Sequence, residues 1–135
     1  MGARWRILVI DDEKEFTHLL RMNLEATGDY EVREVNFAEE GFDEAKEFKP
    51  DLILLDLVMP ALNGKDIAED FKADDELRAV PIAFVTAMES QMDGQILRKN
   101  NRGYPVLYKP VSVQIIAECI GTILQGKQKP RRRID

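Results

Sequence analysis

The chain has 135 residues, 44% of them hydrophobic and 33% charged, with 8 Gly and 6 Pro. That length and mixture fit one globular domain and exclude disorder, collagen-like repeats and low-complexity sequence. One cysteine and one histidine leave neither an internal disulfide nor a Cys/His zinc module, so a reducing, cytoplasmic setting is expected.

Charge is unevenly spread. Five of the 19 Lys and Arg fall in the last nine residues, which leaves residues 1–126 with 14 basic against 24 acidic residues, a net charge of −10. An acidic body disfavours nucleic acid binding by the domain itself, and the basic stretch 126–135 reads as a solvated tail or truncated linker. No apolar run nears the ~20 residues needed to span a bilayer, so no membrane partner is expected.

In chain order, Ile7-Leu8-Val9-Ile10 is a short continuous apolar run, the mark of a strand covered on both faces. Phe16, Leu19, Leu20 and Leu24 then make a helical stripe ended by Gly28. Tyr30 to Val35 mixes charge into a weaker strand, as edge strands do. Asn36 followed by Glu39 reads as a capping box for a second helix, whose stripe is Phe42, Ala45 and Phe48 before Pro50. Leu52-Ile53-Leu54-Leu55 is the third strand; Ile67, Ala68 and Phe71 predict a helix after Gly64. Ile82-Ala83-Phe84-Val85 is the fourth strand, Met88 to Lys99 a less regular helix, and Val106 to Tyr108 a fifth, edge strand. A last helix has Ser112 as N-cap and Ile116, Ile120, Ile123 and Leu124 on one face, ending at Gly126. Strict alternation in a chain of this size implies a doubly wound α/β parallel sheet with helices on both faces.

Ligands of such sheets sit at the carboxyl ends of the strands. There the sequence places Asp11-Asp12, Asp56, Thr86 and Lys109-Pro110. Two carboxylates ~4 Å apart repel by about 4 kcal/mol at an effective dielectric of 20, so three of them call for a cation. A hard divalent ion with oxygen ligands, magnesium foremost, meets that need. Taken singly each residue has a plainer explanation: Asp11, Asp12 and Glu13 favour a helix N-terminus, Asp56 suits a loop, and Lys109 suits solvent. His18 reads as a surface or half-buried side chain, and Cys119 and Trp5 as packing residues.

The combination Asp11-Asp12, Asp56-Leu57-Val58-Met59-Pro60 with Gly64, Thr86-Ala87 and Lys109-Pro110 resembles the receiver domain of bacterial two-component response regulators, over about residues 5–125. The resemblance implies a five-stranded parallel sheet of order 2-1-3-4-5 with five helices, of the flavodoxin-like kind. It implies that Asp56 accepts a phosphoryl group from a sensor histidine kinase or phosphotransfer protein, as a signalling module that assists its own phosphorylation and dephosphorylation and is not a turnover enzyme. It makes Asp11, Asp12, Asp56 and the backbone carbonyl of Val58 the magnesium set, with Asp11 acting mainly through water. Lys109 would pair with the phosphoryl oxygens, Thr86 would turn its hydroxyl toward them, and the Lys109-Pro110 bond would be cis.

Downstream, the resemblance implies a protein target or an effector domain, with phosphorylation-linked homodimerisation as one output. One position departs from the pattern: receivers usually carry Tyr or Phe three residues before the lysine, and here that residue is Val106, with Tyr104 and Tyr108 nearby. Two alternatives are a haloacid dehalogenase-type phosphohydrolase, which wants a carboxylate two residues after its nucleophile where this chain has Val58, and a pseudo-receiver that binds partners without taking phosphate.

Overall fold

The computed structural model describes residues 3–59, 64–87, 98–99 and 104–127. Strands β1 (Trp5–Ile10), β2 (Tyr30–Val35), β3 (Leu52–Leu55), β4 (Ile82–Thr86), β5 (Arg98–Lys99) and β6 (Pro105–Tyr108) form one sheet of order β2-β1-β3-β4-β6-β5. Helices α1 (Lys14–Ala26), α2 (Gly41–Phe48), α3 (Gly64–Ala73) and α4 (Val113–Leu124) cover it, with a short 3-10 turn at Ala38–Glu40 before α2. The five strands β2, β1, β3, β4 and β6 run parallel in the expected order. Outside them β5 adds a two-residue antiparallel rung, Arg98 opposite Val106 and Lys99 opposite Pro105. The run at 106–108 is therefore flanked on both sides and is not the edge.

Because side chains alternate along a strand, each run feeds two cores. Leu8, Ile10, Ile53, Leu55, Ile82, Phe84 and Val106 pack against Ala45, Phe48, Ile67, Ala68 and Phe71 of α2 and α3. Ile7, Val9, Leu52, Leu54, Ala83, Val85 and Leu107 pack against Leu20 and Leu24 of α1 and Ile116, Cys119, Ile120 and Leu124 of α4. Both faces being covered is why these strands read as unbroken apolar runs. Where α2 starts, Gly41 allows close approach: a Cβ there would lie 3.0 Å from Cδ1 of Ile10, which would have to shift.

Several local expectations change. Four α-helices lie among the described residues; the helix expected from Met88 to Lys99 falls on residues 88–97, outside them, while Arg98 and Lys99 are strand. Leu19 is 52% exposed, and the inward stripe of α1 is Thr17, Leu20 and Leu24. The Asn36–Glu39 capping box does not form: the cap position of the 3-10 turn is Phe37, one residue past Asn36, and neither that turn nor α2 has a side-chain cap. Ser112 does cap α4, accepting from the Ile115 amide at 3.1 Å. Cys119 is buried, Trp5 half-buried, and His18 exposed with Nδ1 3.5 Å from Glu34.

Candidate functional site

The ladder carries on one residue past the strands and so fixes the site's backbone. Asp11 N–H donates to Val35 O at 3.0 Å, Asp56 N–H to Ile10 O at 3.0 Å, and Lys109 N–H to Thr86 O at 2.8 Å. Each of these residues thus has its main chain held at the carboxyl edge of the sheet. The Lys109-Pro110 peptide is cis, as expected.

The side chains converge. Asp11, Asp12 and Asp56 each bring a carboxylate oxygen within 4.8 Å of the others, with Asp11 and Asp56 buried and Asp12 open to solvent. Lys109 Nζ donates to Asp11 Oδ2 at 2.7 Å and stands 4.0 Å from Asp56 Oδ2. It also pairs with Glu13 and lies 4.6 Å from the centre of the Phe16 ring. Main-chain amides steer the carboxylates: Glu13 N–H donates to Asp11 Oδ1 at 2.9 Å and Val58 N–H to Asp56 Oδ1 at 3.1 Å. Beside the lysine a cavity of about 400 Å³ is lined by Glu13, Phe16, Ala87, Lys109, Pro110 and Val111.

Electrostatics follow from this crowding. Burial pushes the Asp11 carboxyl up to about 6 from 3.8, although its bonds to Lys109 and the Glu13 amide pull it down. Burial likewise raises Asp56; the Val58 amide, the Lys109 charge and the Thr86 hydroxyl oppose the rise, and the Asp12 charge adds to it. For Lys109, burial works to lower the ammonium, but bonds to Asp11 and Glu13 and the charges of Asp11 and Asp56 win and hold it above its usual range. The Thr86 hydroxyl is buried and makes no hydrogen bond of ordinary geometry, so its effect on Asp56 is weak and its bonding capacity is uncommitted.

These donors fit a hard divalent ion. Among the described residues, three carboxylates, two of them desolvated and raised, face a single ammonium, and oxygen donors of this type suit magnesium. The sequence had pointed to Asp11, Asp12, Asp56, Thr86 and Lys109, and the fold brings all five to one edge. Val58 stands beside Asp56 through its amide, its side chain 66% exposed. Two participants were missed. By sequence Glu13 reads as part of the helix terminus and Phe16 as part of the apolar stripe; only the fold sets both against Lys109.

Comparison with known proteins is consistent over most of the chain. The response regulator receiver domain family model matches residues 7–120. The chain is 34% identical to the polar-differentiation response regulator DivK of Brucella anthropi over 119 residues, 87% of this chain and 94% of that protein. It is 31% identical to protein PilH of Pseudomonas aeruginosa over 121 residues, 90% and 98% of the two chains. Among solved structures, the receiver domain from hybrid histidine kinase CckA superposes with a TM-score of 0.70 at 30% identity, covering 89% of this chain and 99% of that one. Chemotaxis response regulator CheY4 of Vibrio cholerae shares the fold, with a TM-score of 0.76 at 20% identity over 90% and 100% of the two chains. Nothing favours the haloacid dehalogenase alternative, and Val58 leaves the carboxylate that family wants unfilled. The chain belongs to the receiver domain family of two-component response regulators.

Proposed function

We propose that Asp56 is the phosphoacceptor of this receiver and that magnesium assists the transfer. The observation that carries the reading is the setting of the Asp56 carboxylate: buried at the sheet edge, 4.0 Å from Lys109 Nζ and within 4.8 Å of the oxygens of Asp11 and Asp12. A carboxylate oxygen of Asp56 attacks the phosphorus of a phosphohistidine on a sensor kinase or phosphotransfer protein. The new P–O bond forms as the P–N bond breaks, and the leaving imidazole takes a proton from solvent. Such transfers depend on positioning and charge neutralisation more than on covalent help.

Asp11, Asp12, Asp56 and the Val58 carbonyl would hold the magnesium ion, which supplies charge neutralisation at the phosphoryl oxygens. Lys109 releases its hold on the carboxylates and pairs with a phosphoryl oxygen, and the Thr86 hydroxyl, lacking a partner, turns to donate to another. Asp11, the carboxylate beside Asp56 whose basicity burial raises, is given to the cation and so is not free to activate water, which suits a signal that persists. Residues 5–125 form the phosphoacceptor domain, with 126–135 a basic tail or linker, in a cytoplasmic protein. Its phosphorylated form acts on a protein target or effector domain, with homodimerisation as one outcome, and the domain assists its own slow dephosphorylation.

The test is to treat the protein with an acyl phosphate and magnesium and weigh it intact. The parent should gain one phosphoryl group, and chelation of magnesium should abolish the gain. A gain that persists in Asp56→Asn would move the acceptor elsewhere, and a parent that takes no phosphate would favour the pseudo-receiver.

A further inference from the structure

Asn36, directly after β2, makes two hydrogen bonds across the fold. Its amide nitrogen donates to the main-chain carbonyl of Asp11 at 2.8 Å and to Thr17 Oγ1 at 3.0 Å. Thr17 is fully buried on α1. Its one proton goes to Glu34 Oε1 at 2.8 Å in preference to the Lys14 carbonyl at 3.1 Å, since a charged acceptor at shorter range makes the stronger bond. Glu34 is held in turn by Arg21 at 3.7 Å and His18 at 3.5 Å. The chain of bonds has one possible sense. The Asp11 carbonyl only accepts, so Asn36 must present its nitrogen there, and both amide protons are then committed.

The carbonyl that Asn36 grips belongs to the peptide joining Asp11 to Asp12. We infer that Asn36 is a positioning residue for the divalent-cation site: it fixes the plane of the Asp11–Asp12 peptide, from which two of the three carboxylates hang, while Thr17 and Glu34 fix Asn36. This rests on reading Asp11, Asp12 and Asp56 as magnesium ligands. The relation ties the end of β2 and the early part of α1 to the site, although neither Asn36 nor Thr17 belongs to the carboxylate cluster. Groups that orient metal ligands in this way commonly contribute a factor of about 10–100 to metal affinity.

The experiment is a calorimetric magnesium titration of the full chain in six forms: parent, Asp12→Asn, Asn36→Leu, Thr17→Val, Thr17→Ser and Leu124→Ala. Asn36→Leu keeps the branched shape and removes both donors, and should weaken magnesium about 10–100-fold. Thr17→Val should weaken it by a smaller factor and Thr17→Ser restore it. Leu124→Ala loses packing at the C-terminal end of α4, away from the site, and should lower the melting temperature without changing affinity, which separates positioning from general destabilisation. The carbonyl carbon of Asp11 should also lose its hydrogen-bonded chemical shift in Asn36→Leu.

If the parent binds no magnesium, or Asp12→Asn binds as the parent does, the ligand assignment fails and the inference with it. If Asp12→Asn weakens binding while Asn36→Leu matches the parent, the ligands stand and the positioning role of Asn36 is overturned. Should Asn36→Leu not fold, Thr17→Val decides, and parent-like affinity there overturns the inference.

Discussion

Burial and pairing pull Asp11 in opposite directions, and burial wins. With its carboxyl at about 6 in the fold against 3.8 when free, the folded state holds the proton more tightly than the unfolded chain. Its contribution to stability is therefore greatest below pH ~4 and is lost as pH rises through about 6, a change on the order of 3 kcal/mol. In metal-free buffer Asp11→Asn should be more stable than the parent at pH 7 and should flatten the pH dependence between 4 and 6, as measured by urea denaturation. A variant destabilised equally at pH 4 and pH 7 would mean that the Lys109 pairing dominates. Val58 poses a kinetic question at the same scale. Its apolar, exposed side chain follows the acceptor by two residues, where a polar group would orient a hydrolytic water. Val58→Asn should speed decay of the phosphorylated form, and since 1.36 kcal/mol of barrier is tenfold in rate, a several-fold change is readily followed. Unchanged or slower decay would remove shielding by Val58 as the cause of persistence. Met88, two residues after Thr86 and by its apolar side chain expected to flank the acceptor in the same way, lies outside the described residues.

Elements carry the site because their ends are well defined. The Ser112 cap at the start of α4 follows closely on Lys109-Pro110, and Ser112→Ala should cost about 1 kcal/mol of stability by chemical denaturation. No loss would mean that the helix terminus finds another acceptor. β6 is where this chain departs from the family pattern. Val106 is buried against Phe84 and the α2–α3 side, with neither ring nor hydroxyl to report on Thr86. Two residues earlier Tyr104 meets Phe84 edge-on at 5.5 Å, and Lys72 lies 5.5 Å from its ring while donating to the carbonyls of Arg78 and Val80 at 3.0 Å each. An aromatic link between β6 and β4 thus exists, displaced from position 106. On phosphorylation, amide exchange should change first at Thr86 and the chain that follows it, with Tyr104 responding weakly. A response centred on Tyr104 would transfer the switch to the displaced aromatic.

For the whole molecule, cation binding and folding are linked. Magnesium bound to the folded state stabilises it by about 1.4 kcal/mol at a concentration tenfold above Kd. Because protonated Asp11 is a poor ligand, the rise in melting temperature with magnesium should be larger at pH 7 than at pH 5. An equal rise at both would exclude Asp11 from the site. Much of this architecture is legible in the sequence: β1, β3 and β4 are apolar on both faces, so no other arrangement covers them, and the site residues follow those runs directly. What is not legible depends on long-range choices. Asn36 followed by Glu39 has the local pattern of a cap, but the cap position falls at Phe37, and the Asn36 amide finds the Asp11 carbonyl only once β2 is packed beside β1. Leu19 fits the helical period, yet the face is set by where α1 meets the sheet, and the two-residue β5 is too short to leave a pattern. The central claim, that Asp56 takes the phosphoryl group, is tested most directly by trapping. An aspartyl phosphate is an acyl phosphate, so borohydride reduces it to homoserine, which peptide mass mapping then locates. Homoserine at position 56, dependent on both phosphodonor and magnesium, is the expected result; homoserine at Asp11, Asp12 or any other carboxylate, with position 56 intact, would contradict it.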